Sequence, residues 1–449
     1  MGATSLIADF IVNTSANQFD EEVIEKGKEA LLDWIGVTLA GLGEETSKII
    51  LDYVKMEDSS KQASIIGTDI RTSAANAALA MGTISHAVDF DDVLWPMRGH
   101  PSVTLFPAIL SLGEFMGTGS IECLEAFVTG FEVEAVIGAA TADPHYKKGW
   151  HTTNTIGTLG AAAASARILR LSHEKTRNAL GIAASTLCGL RSNFGTMTKP
   201  LHAGIAARNG VFSALLANSN FTANPDILET NMGFAEVFCG NSHSINEINK
   251  PGNQWSLVSP GRVNKMHASC NATHSPVDCI LDLGKENNIS FSEIEEIECF
   301  VNPEVPTILI YDVPQKGLEG KFCLKYCLAV AAIDGVAGLD QFSDERVKRD
   351  DVINLMNKIT IYPNYITPES RRSAKVIVKT RDRIYQKSVL FSRGSFGNPV
   401  EYKDIYNKFS MCSAQVFDEK RIKQIAAAVD NLPVLKNIEG LIRLCCPVD

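Results

Sequence analysis

The hydrophobic periodicity of this chain changes twice, and that change constrains the fold more than any other feature of the sequence. From residue 20 to about 240, apolar residues recur at helical spacing, beginning after a predicted N-cap at Asp20. Residues 157–171 and 203–217 are rich in small side chains. Small residues let backbones approach each other, so these two runs predict central, tightly packed helices.

The pattern after about residue 262 is that of β-structure. In residues 297–301, Ile297, Cys299 and Val301 alternate with Glu298 and Phe300, which predicts a half-buried strand. Residues 376–378 and 388–391 flank a polar turn at 380–383, which predicts a hairpin.

Helical spacing returns in residues 404–410 and 419–429. A chain of 449 residues also exceeds what one hydrophobic core usually organises. The predicted fold class is therefore mainly α. It combines a large all-α helical domain, residues 1–262 and 400–449, with an inserted smaller α+β lid domain, residues 263–399.

The charge balance argues against nucleic acid as a partner. The chain carries 42 Lys and Arg against 52 Asp and Glu, a net charge of -10. Its cations form no cluster that would displace the counterions of a phosphate backbone. An anionic small molecule can still bind through a few local cations, and these should mark a site.

The cysteines and the apolar runs indicate the compartment. Eleven cysteines are scattered without a C-x-x-C pair or a disulfide framework, so we expect reduced thiols in a cytoplasmic protein. The N-terminus shows no export signal. The apolar run at 204–217 is interrupted by Arg208 and Asn209, short of the about 20 apolar residues that a membrane span needs. We therefore expect no association with a membrane.

Motifs of several common enzyme classes do not occur in the sequence. There is no phosphate-binding loop, dinucleotide fingerprint, nucleophile elbow or H-E-x-x-H zinc motif. His267, Cys270 and His274 have a spacing that could hold zinc, but no second ligand pair completes such a site. The aspartates of residues 89–92 resemble magnesium ligands of terpenoid enzymes, but no second metal motif follows. The sequence predicts neither a metal nor an organic cofactor.

Polar chemistry is concentrated in three places. Residues 86–102 hold three carboxylates, two histidines and an arginine between apolar helices. Any one of these side chains more often caps a helix or bonds the backbone, but the group as a whole favours a functional site. Lys199 precedes Pro200 at a predicted helix start, where it either binds an anion beside the helix dipole or is a solvated lysine. His151 is either a helix cap or part of the same site.

Five segments, in this order and spacing, resemble the MmgE/PrpD family, which includes 2-methylcitrate dehydratase, cis-aconitate decarboxylase and iminodisuccinate epimerase. The segments are residues 86–102, 149–155, 196–210, 268–274 and 321–326. The resemblance spans nearly the whole chain. It implies a large all-α domain built from both chain ends, an inserted α+β lid and a homodimer.

The resemblance also implies a substrate cleft between the two domains, with no metal and no organic cofactor. The residues that it places facing the substrate are Asp89, His100, Lys199, His274 and Tyr326, with His151 nearby.

The reactions of this family share the build-up of negative charge on a carbon next to a carboxylate. We expect Lys199, together with Arg98 and His202, to bind the carboxylate of a small polycarboxylate substrate. Preorganised cations in a closed site lower the cost of the enolate-like state far more than they would in water.

Proton transfer is predicted for two histidines. His274 is the main candidate because an imidazole titrates near neutral pH, and His100 is its partner on the opposite face. Asp89 would orient a histidine. Tyr326 would donate a proton from the lid.

The favoured function is dehydration of a 2-methylcitrate-like hydroxy-tricarboxylate by a cofactor-independent lyase. Epimerisation of an iminodicarboxylate is the alternative, because residues 96–102 and 193–200 resemble the epimerase branch. Decarboxylation of a cis-aconitate-type acid is less favoured, since Val93 stands where decarboxylase-like members carry a threonine hydroxyl. A catalytically silent binding protein on the same scaffold is a further class.

Overall fold

The structure is a computed structural model that describes residues 2–248 and 251–447. Helices dominate it. In the first half of the chain they are α1 (Ala3–Asn13), α2 (Glu21–Gly41), α3 (Glu45–Met56), α4 (Ala74–Ala87), α5 (Ser102–Met116), α6 (Ser120–Lys147), α7 (Thr152–Ile168), α8 (His173–Ala184), α9 (Thr198–Asn218) and α10 (Phe234–Cys239). A short hairpin, β1 (Ala63–Ser64) and β2 (Arg71–Thr72), precedes α4.

The helices α4, α7 and α9 form the centre of the helical domain. A Cβ added at Gly82 of α4 would lie 2.7 Å from the Gly204 Cα of α9. A Cβ at Gly204 would lie 2.2 Å from the Leu79 carbonyl oxygen. Because only glycine permits this approach, α4 and α9 cross almost backbone to backbone. The close packing that the two small-residue runs predict is found between α7 and α9, where a Cβ added at Gly210 would lie 2.4 Å from the Ala161 Cβ, whereas α4 lies outside both runs.

The second half of the chain begins with a small α+β unit. Its helices are α11 (His274–Asn287), α12 (Gly317–Gly320), α13 (Leu324–Asp334) and α14 (Asp350–Met356). Its strands are β3 (Ile294–Val301), β4 (Ile359–Tyr362), β5 (Ala374–Thr380) and β6 (Ile384–Val389). The sheet order is β4-β3-β5-β6, with β3 and β4 parallel and the other pairs antiparallel. The helices α11 and α13 pack on it.

The sequence predicted the β5–β6 hairpin with one error at its end. The turn closes with the Thr380 N–H donating to the Arg383 carbonyl oxygen at 2.9 Å. The second strand was expected at 388–391, but β6 ends at Val389 and Leu390 lies outside the ladder. The strand therefore begins earlier than its apolar residues suggest, because β6 is an edge strand with no fully buried side chain.

The chain then returns to the helical domain through α15 (Tyr402–Ser413), α16 (Glu419–Asp430) and α17 (Glu439–Leu444). A Cβ added at Gly36 of α2 would lie 3.0 Å from the Phe409 Cα of α15, so the two chain ends are closely packed. The buried Lys408 Nζ reinforces this contact at 2.8 Å from Asp33 Oδ1. The mainly α fold class is confirmed. The predicted domain boundaries at 262 and 400 remain predictions.

Polar contacts join the α+β unit, which corresponds to the predicted lid and is called the lid below, to the helical domain. Arg98 pairs with Asp143 of α6, at 2.6 Å, and with Glu304 of the lid. The Tyr311 hydroxyl of the lid donates to the Phe194 carbonyl oxygen at 3.1 Å. Across the described residues, no helix combines the length and the apolar character that a bilayer span requires.

Candidate active site

The loop between α4 and α5 carries a buried polar cluster. Asp89 and Arg98 in this loop have φ angles of 50° and 54°, in the left-handed region that residues other than glycine rarely adopt. Such a conformation costs about 1–3 kcal/mol per residue and is concentrated at functional sites. The loop is therefore held in shape by its surroundings.

One of the three loop aspartates has a structural role. Asp92 accepts hydrogen bonds from the Ser102 hydroxyl at 2.7 Å and the Ser102 N–H at 3.3 Å, so it caps α5. Burial raises the pKa of Asp92 to about 6, although Arg262 lies 3.6 Å from its carboxylate. This is the capping role that the sequence left open for any one aspartate of the segment.

Asp91 lies at the centre of the cluster, between two imidazoles. Its Oδ1 is 2.8 Å from His86 Nδ1, and its Oδ2 is 2.8 Å from His100 Nδ1. On the other side of His86, Nε2 is 2.7 Å from Lys199 Nζ. Four side chains thus form a continuous polar chain, Lys199 to His86 to Asp91 to His100.

The tautomers of both imidazoles follow from this chain. Burial raises the pKa of Asp91, but the neighbouring His86, His100 and Lys265 outweigh it and hold the pKa well below its usual range. His86 Nδ1 hydrogen-bonds the Asp91 carboxylate, and His100 Nδ1 hydrogen-bonds the Asp92 carbonyl oxygen at 2.9 Å. Both oxygens only accept, so both Nδ1 atoms carry protons. Burial lowers the pKa of His86 to about 4 and that of His100 below 6.5, so both rings are neutral near pH 7. His100 Nε2 therefore carries a lone pair and can act as a base.

Asp89, the remaining aspartate of the loop, contacts two lysines. Lys265 Nζ lies 2.5 Å from Asp89 Oδ1, and Lys199 Nζ lies 3.2 Å from the same atom. Burial lowers the pKa of both lysines, but Asp89 and Asp91 outweigh it at Lys265, whose pKa is raised. At Lys199 burial and the nearby Lys265 prevail, and the pKa is lowered. Lys265 is thus a fixed cation, and Lys199 is the better proton donor.

A second histidine pair lies beside the cluster. His151, the N-cap residue of α7, has Nδ1 3.0 Å from His202 Nδ1 of α9, so one ring donates to the other. The His151 and His86 rings stack with centroids 6.3 Å apart. Burial holds the pKa of His151 well below its usual value and lowers that of His202 to about 4. Both rings are neutral at pH 7.

Three of the predicted site residues make their polar contacts elsewhere. His274 begins α11 with Nε2 3.4 Å from the Ser269 carbonyl oxygen and with its ring 5.0 Å from that of His267. The Tyr326 hydroxyl donates to the Gln341 carbonyl oxygen within the lid. Arg98 is held in the domain interface by Asp143 and Glu304. Their roles toward a substrate remain predictions.

The structure thus brings together Asp89, His100 and Lys199, with His151 and His202 alongside. The sequence analysis missed His86, Asp91 and Lys265 as members. His86 and Asp91 lay within the segment singled out for its density, whereas Lys265 stands alone in the sequence and gave no signal. Lys321 was also missed. Its Nζ donates to the Val88 and Ala268 carbonyl oxygens, both at 2.8 Å, and so joins the cluster loop to the lid.

The cluster contains side chains that can bind a metal ion, but two lysine ammonium groups lie among them. Ligand atoms of four of its members, His86, Asp89, Asp91 and His100, lie within 4.8 Å of one another. However, the ammonium groups of Lys199 and Lys265 already contact the His86 and Asp89 atoms that would bind a cation. Adding a divalent cation between two ammonium groups is strongly unfavourable in a buried site. The two ammonium groups therefore occupy the positions that a cation would take, and they are the cluster groups that can contact an anion.

Comparisons with known proteins give matches over nearly the whole chain. The model of the MmgE/PrpD N-terminal domain matches residues 5–245, and that of the MmgE/PrpD C-terminal domain matches residues 267–432.

Curated relatives of the chain include proteins with two different names. The cis-aconitate decarboxylase of Mus musculus is 26% identical over 98% of this chain and 93% of its own length. The cis-aconitate decarboxylase of Aspergillus terreus is 26% identical over 100% of this chain and 96% of its own. The probable 2-methylcitrate dehydratase of Saccharomyces cerevisiae is 24% identical over 78% of this chain and 72% of its own.

Proposed function

Because this chain belongs to the MmgE/PrpD family, we propose that it is a cofactor-independent lyase that removes water from a small hydroxy-tricarboxylate of the 2-methylcitrate type. One observation carries the proposal. A neutral imidazole, His100, is oriented by its hydrogen bond to the Asp92 carbonyl oxygen, contacts the Asp91 carboxylate, and lies in the same buried cluster as two lysine ammonium groups. Removal of a proton next to a carboxylate needs a base with ammonium groups nearby that can stabilise the charge that forms.

The two lysines stabilise the negative charge that forms on the substrate in this step. When the α-proton leaves, its electron pair spreads onto the neighbouring carboxylate as an enolate-like dianion. The side chains of Lys199 and Lys265 are 5% and 0% exposed, so their charges act with little screening by solvent. Because Lys265 stays cationic through Asp89, we assign it to charge stabilisation.

The proposed reaction balances with the groups of this chain. His100 Nε2 takes the α-proton, the C–H electron pair forms the new C=C bond, and the β C–O bond breaks. Lys199 donates a proton to the departing hydroxyl, which leaves as water. The lowered pKa of Lys199 suits this role, since a weaker hold on its proton makes it a better general acid near neutral pH.

Dehydration accounts for this base better than decarboxylation does. Loss of carbon dioxide begins with cleavage of a C–C bond and needs no base, whereas dehydration begins with removal of a proton. Four histidines of the cluster region have lowered pKa values and are proton acceptors rather than donors at pH 7. The Val93 side chain carries only methyl groups and so supplies no hydroxyl. Its backbone pairs with that of Val263.

Epimerisation of an iminodicarboxylate is the second candidate, and His274 is the observation that favours it. An epimerase needs one proton acceptor and one donor on opposite faces of the carbon. His274 is fully buried, and burial together with His267 holds its pKa well below its usual value. It is therefore a second neutral imidazole, and its pKa is also influenced by Lys265 and Asp89 of the cluster, so we propose it as the group for the other face.

Incubation with candidate acids tests the proposal. The purified, chelator-treated protein is mixed with 2-methylcitrate, cis-aconitate and iminodisuccinate in deuterated buffer and followed by NMR. An alkene signal from 2-methylcitrate supports dehydration. Exchange of the α-proton of iminodisuccinate without loss of mass supports the epimerase. Release of carbon dioxide from cis-aconitate, without an alkene signal from 2-methylcitrate and without exchange in iminodisuccinate, refutes both the dehydratase and the epimerase.

The assembly and compartment belong to the same proposal. We propose a cytoplasmic homodimer with a small polycarboxylate as substrate. A light-scattering mass near 97 kDa, about twice the 48.7 kDa of the chain, would support the dimer. A mass of one chain would refute it.

A further inference from the structure

A cleft lies where the lid meets the helical domain, with Trp95 of the cluster loop in its wall. Its volume is about 190 Å³, which suits a small organic acid better than a nucleotide-sized cofactor. Among the residues that line it are Trp95, Asn271, Glu369, Arg371 and Arg372.

The cleft adjoins the proposed catalytic groups through two segments. Trp95 lies in the loop that carries Asp91 and His100. Asn271 directly follows Cys270, whose thiol lies in the electrostatic field of Asp89. Both segments therefore connect the wall of the cleft to the cluster along the chain.

Two polar side chains in the wall of the cleft can donate to an anion. Asn271 Nδ2 has almost no accessible surface and no hydrogen-bond partner in the part of the chain that the structure describes, so the amide must rotate to reach a molecule in the cleft. An unmet buried donor costs about 1–3 kcal/mol, which a bound acceptor would recover. The Arg372 side chain is only 11% exposed and lies over the Trp95 ring, 5.0 Å from its centroid. Its contact with Glu304 is long, 3.4 Å, and uses only Nη1.

The charges around the cleft favour an anion although the whole chain is acidic. Four cations, Arg98, Lys147, Arg371 and Arg372, pair with only two carboxylates, those of Asp143 and Glu304. The exposed Glu369 reduces the excess without cancelling it. A local positive excess in a protein of net charge -10 concentrates anions at this place.

We propose that this cleft is a subsite for a substrate carboxylate distant from the reacting carbon, bound by the Arg372 guanidinium and the Asn271 amide. The inference rests on the proposed function, because it assigns the third carboxylate of a tricarboxylate substrate. It predicts that the protein binds a tricarboxylate more tightly than a dicarboxylate that lacks this group. The planar guanidinium offers paired donors that match a carboxylate.

Calorimetric titration of the full-length protein tests the subsite without relying on turnover. The probes are tricarballylate, which has three carboxylates and no leaving group, and methylsuccinate, which lacks one terminal carboxylate. Wild type should bind tricarballylate more tightly. Arg372→Gln should weaken tricarballylate by roughly 10- to 100-fold, the range for a lost charge-assisted hydrogen bond, and change methylsuccinate little. Asn271→Ala should act in the same direction with a smaller effect.

Two further variants control for charge and folding. Arg349→Gln removes the same charge from an exposed ion pair with Asp351 elsewhere in the lid and should leave both affinities unchanged. Arg372→Lys keeps the charge but not the fork, so it should recover part of the loss. Equal weakening of both probes by Arg372→Gln, or equal wild-type affinity for both, would overturn the subsite. Intact discrimination without conversion of 2-methylcitrate would instead refute the dehydratase and keep the subsite.

Discussion

Replacing Asp91 with asparagine tests the orientation of the proposed base. Asp91 Oδ1 accepts Nδ1–H from His86 at 2.8 Å, and Oδ2 lies 2.8 Å from His100 Nδ1, which donates to the Asp92 carbonyl oxygen at 2.9 Å. An amide has only one oxygen, and its NH₂ group must face the other imidazole. If that ring is His100, Nδ1 must become an acceptor and the proton moves to Nε2. The lone pair that would take the substrate proton is then lost.

The size of the effect follows from what remains in Asp91→Asn. General base catalysis contributes roughly 10²- to 10⁴-fold. The Asp92 carbonyl oxygen still lies 2.9 Å from His100 Nδ1 and keeps part of the original tautomer preference. We therefore expect kcat to fall by about 10²-fold, the lower end of that range. KM should change only a few-fold, because Asp91 would repel a carboxylate rather than bind it.

Steady-state kinetics on 2-methylcitrate, measured as alkene absorbance from pH 5 to 9, give the readout. Asp91 raises the pKa of His100, so its removal should also move the acid limb of kcat/KM to lower pH. The control Asp278→Asn removes a similar carboxylate–imidazole pair, at 2.8 Å from His267, outside the cluster. It should retain kcat. Less than a threefold loss in Asp91→Asn, with an unmoved acid limb, would refute the reasoning.

Other expected outcomes concern pH, packing and metal. A pH profile of kcat/KM should rise with an apparent pKa below 6.5, from His100, and fall with one below 10.5, from Lys199. The pKa of His86 is about 4 in the folded protein and 6.5 in the unfolded chain, so between pH 6.5 and pH 4 only the unfolded chain binds this proton. The free energy of unfolding should therefore fall by about 3 kcal/mol as the pH is lowered through that window, measured by urea titration. Gly204→Ala should lower the free energy of unfolding by about 1–3 kcal/mol in the same assay, because its Cβ would meet the Leu79 carbonyl oxygen. Dialysis against EDTA should leave kcat unchanged, because two ammonium groups contact the atoms that a cation would need.

The fold was largely predictable because local patterns decide it. Asp20 caps α2 as its position suggested, with its side chain accepting from the Val23 N–H at 2.9 Å. The small-residue runs identified α7 and α9, and Lys199 lies in the first turn of α9 as expected from Pro200. Periodicity and capping are local properties of the sequence, so they can be read without knowing the tertiary structure.

The composition of the site could be predicted only in part, because tertiary contacts decide it. Lys265 reaches Asp89 across 176 positions, and no local pattern marks that lysine. Arg98 has the charge of a substrate ligand, but its guanidinium meets Asp143 and Glu304. The sequence showed that residues 86–102 were dense in polar groups. It did not show that Asp91 would orient two imidazoles while Asp92 capped a helix.

The most direct test of the account follows the α-proton of 2-methylcitrate in deuterium oxide, by NMR, with wild type and His100→Asn. The account predicts that wild type produces alkene, incorporates solvent deuterium into recovered substrate, and loses both activities by about 10²-fold or more in the variant. His202→Asn, which removes an imidazole from the neighbouring pair, should lose much less. Equal rates in wild type and His100→Asn, or no reaction of 2-methylcitrate with wild type, would contradict the account.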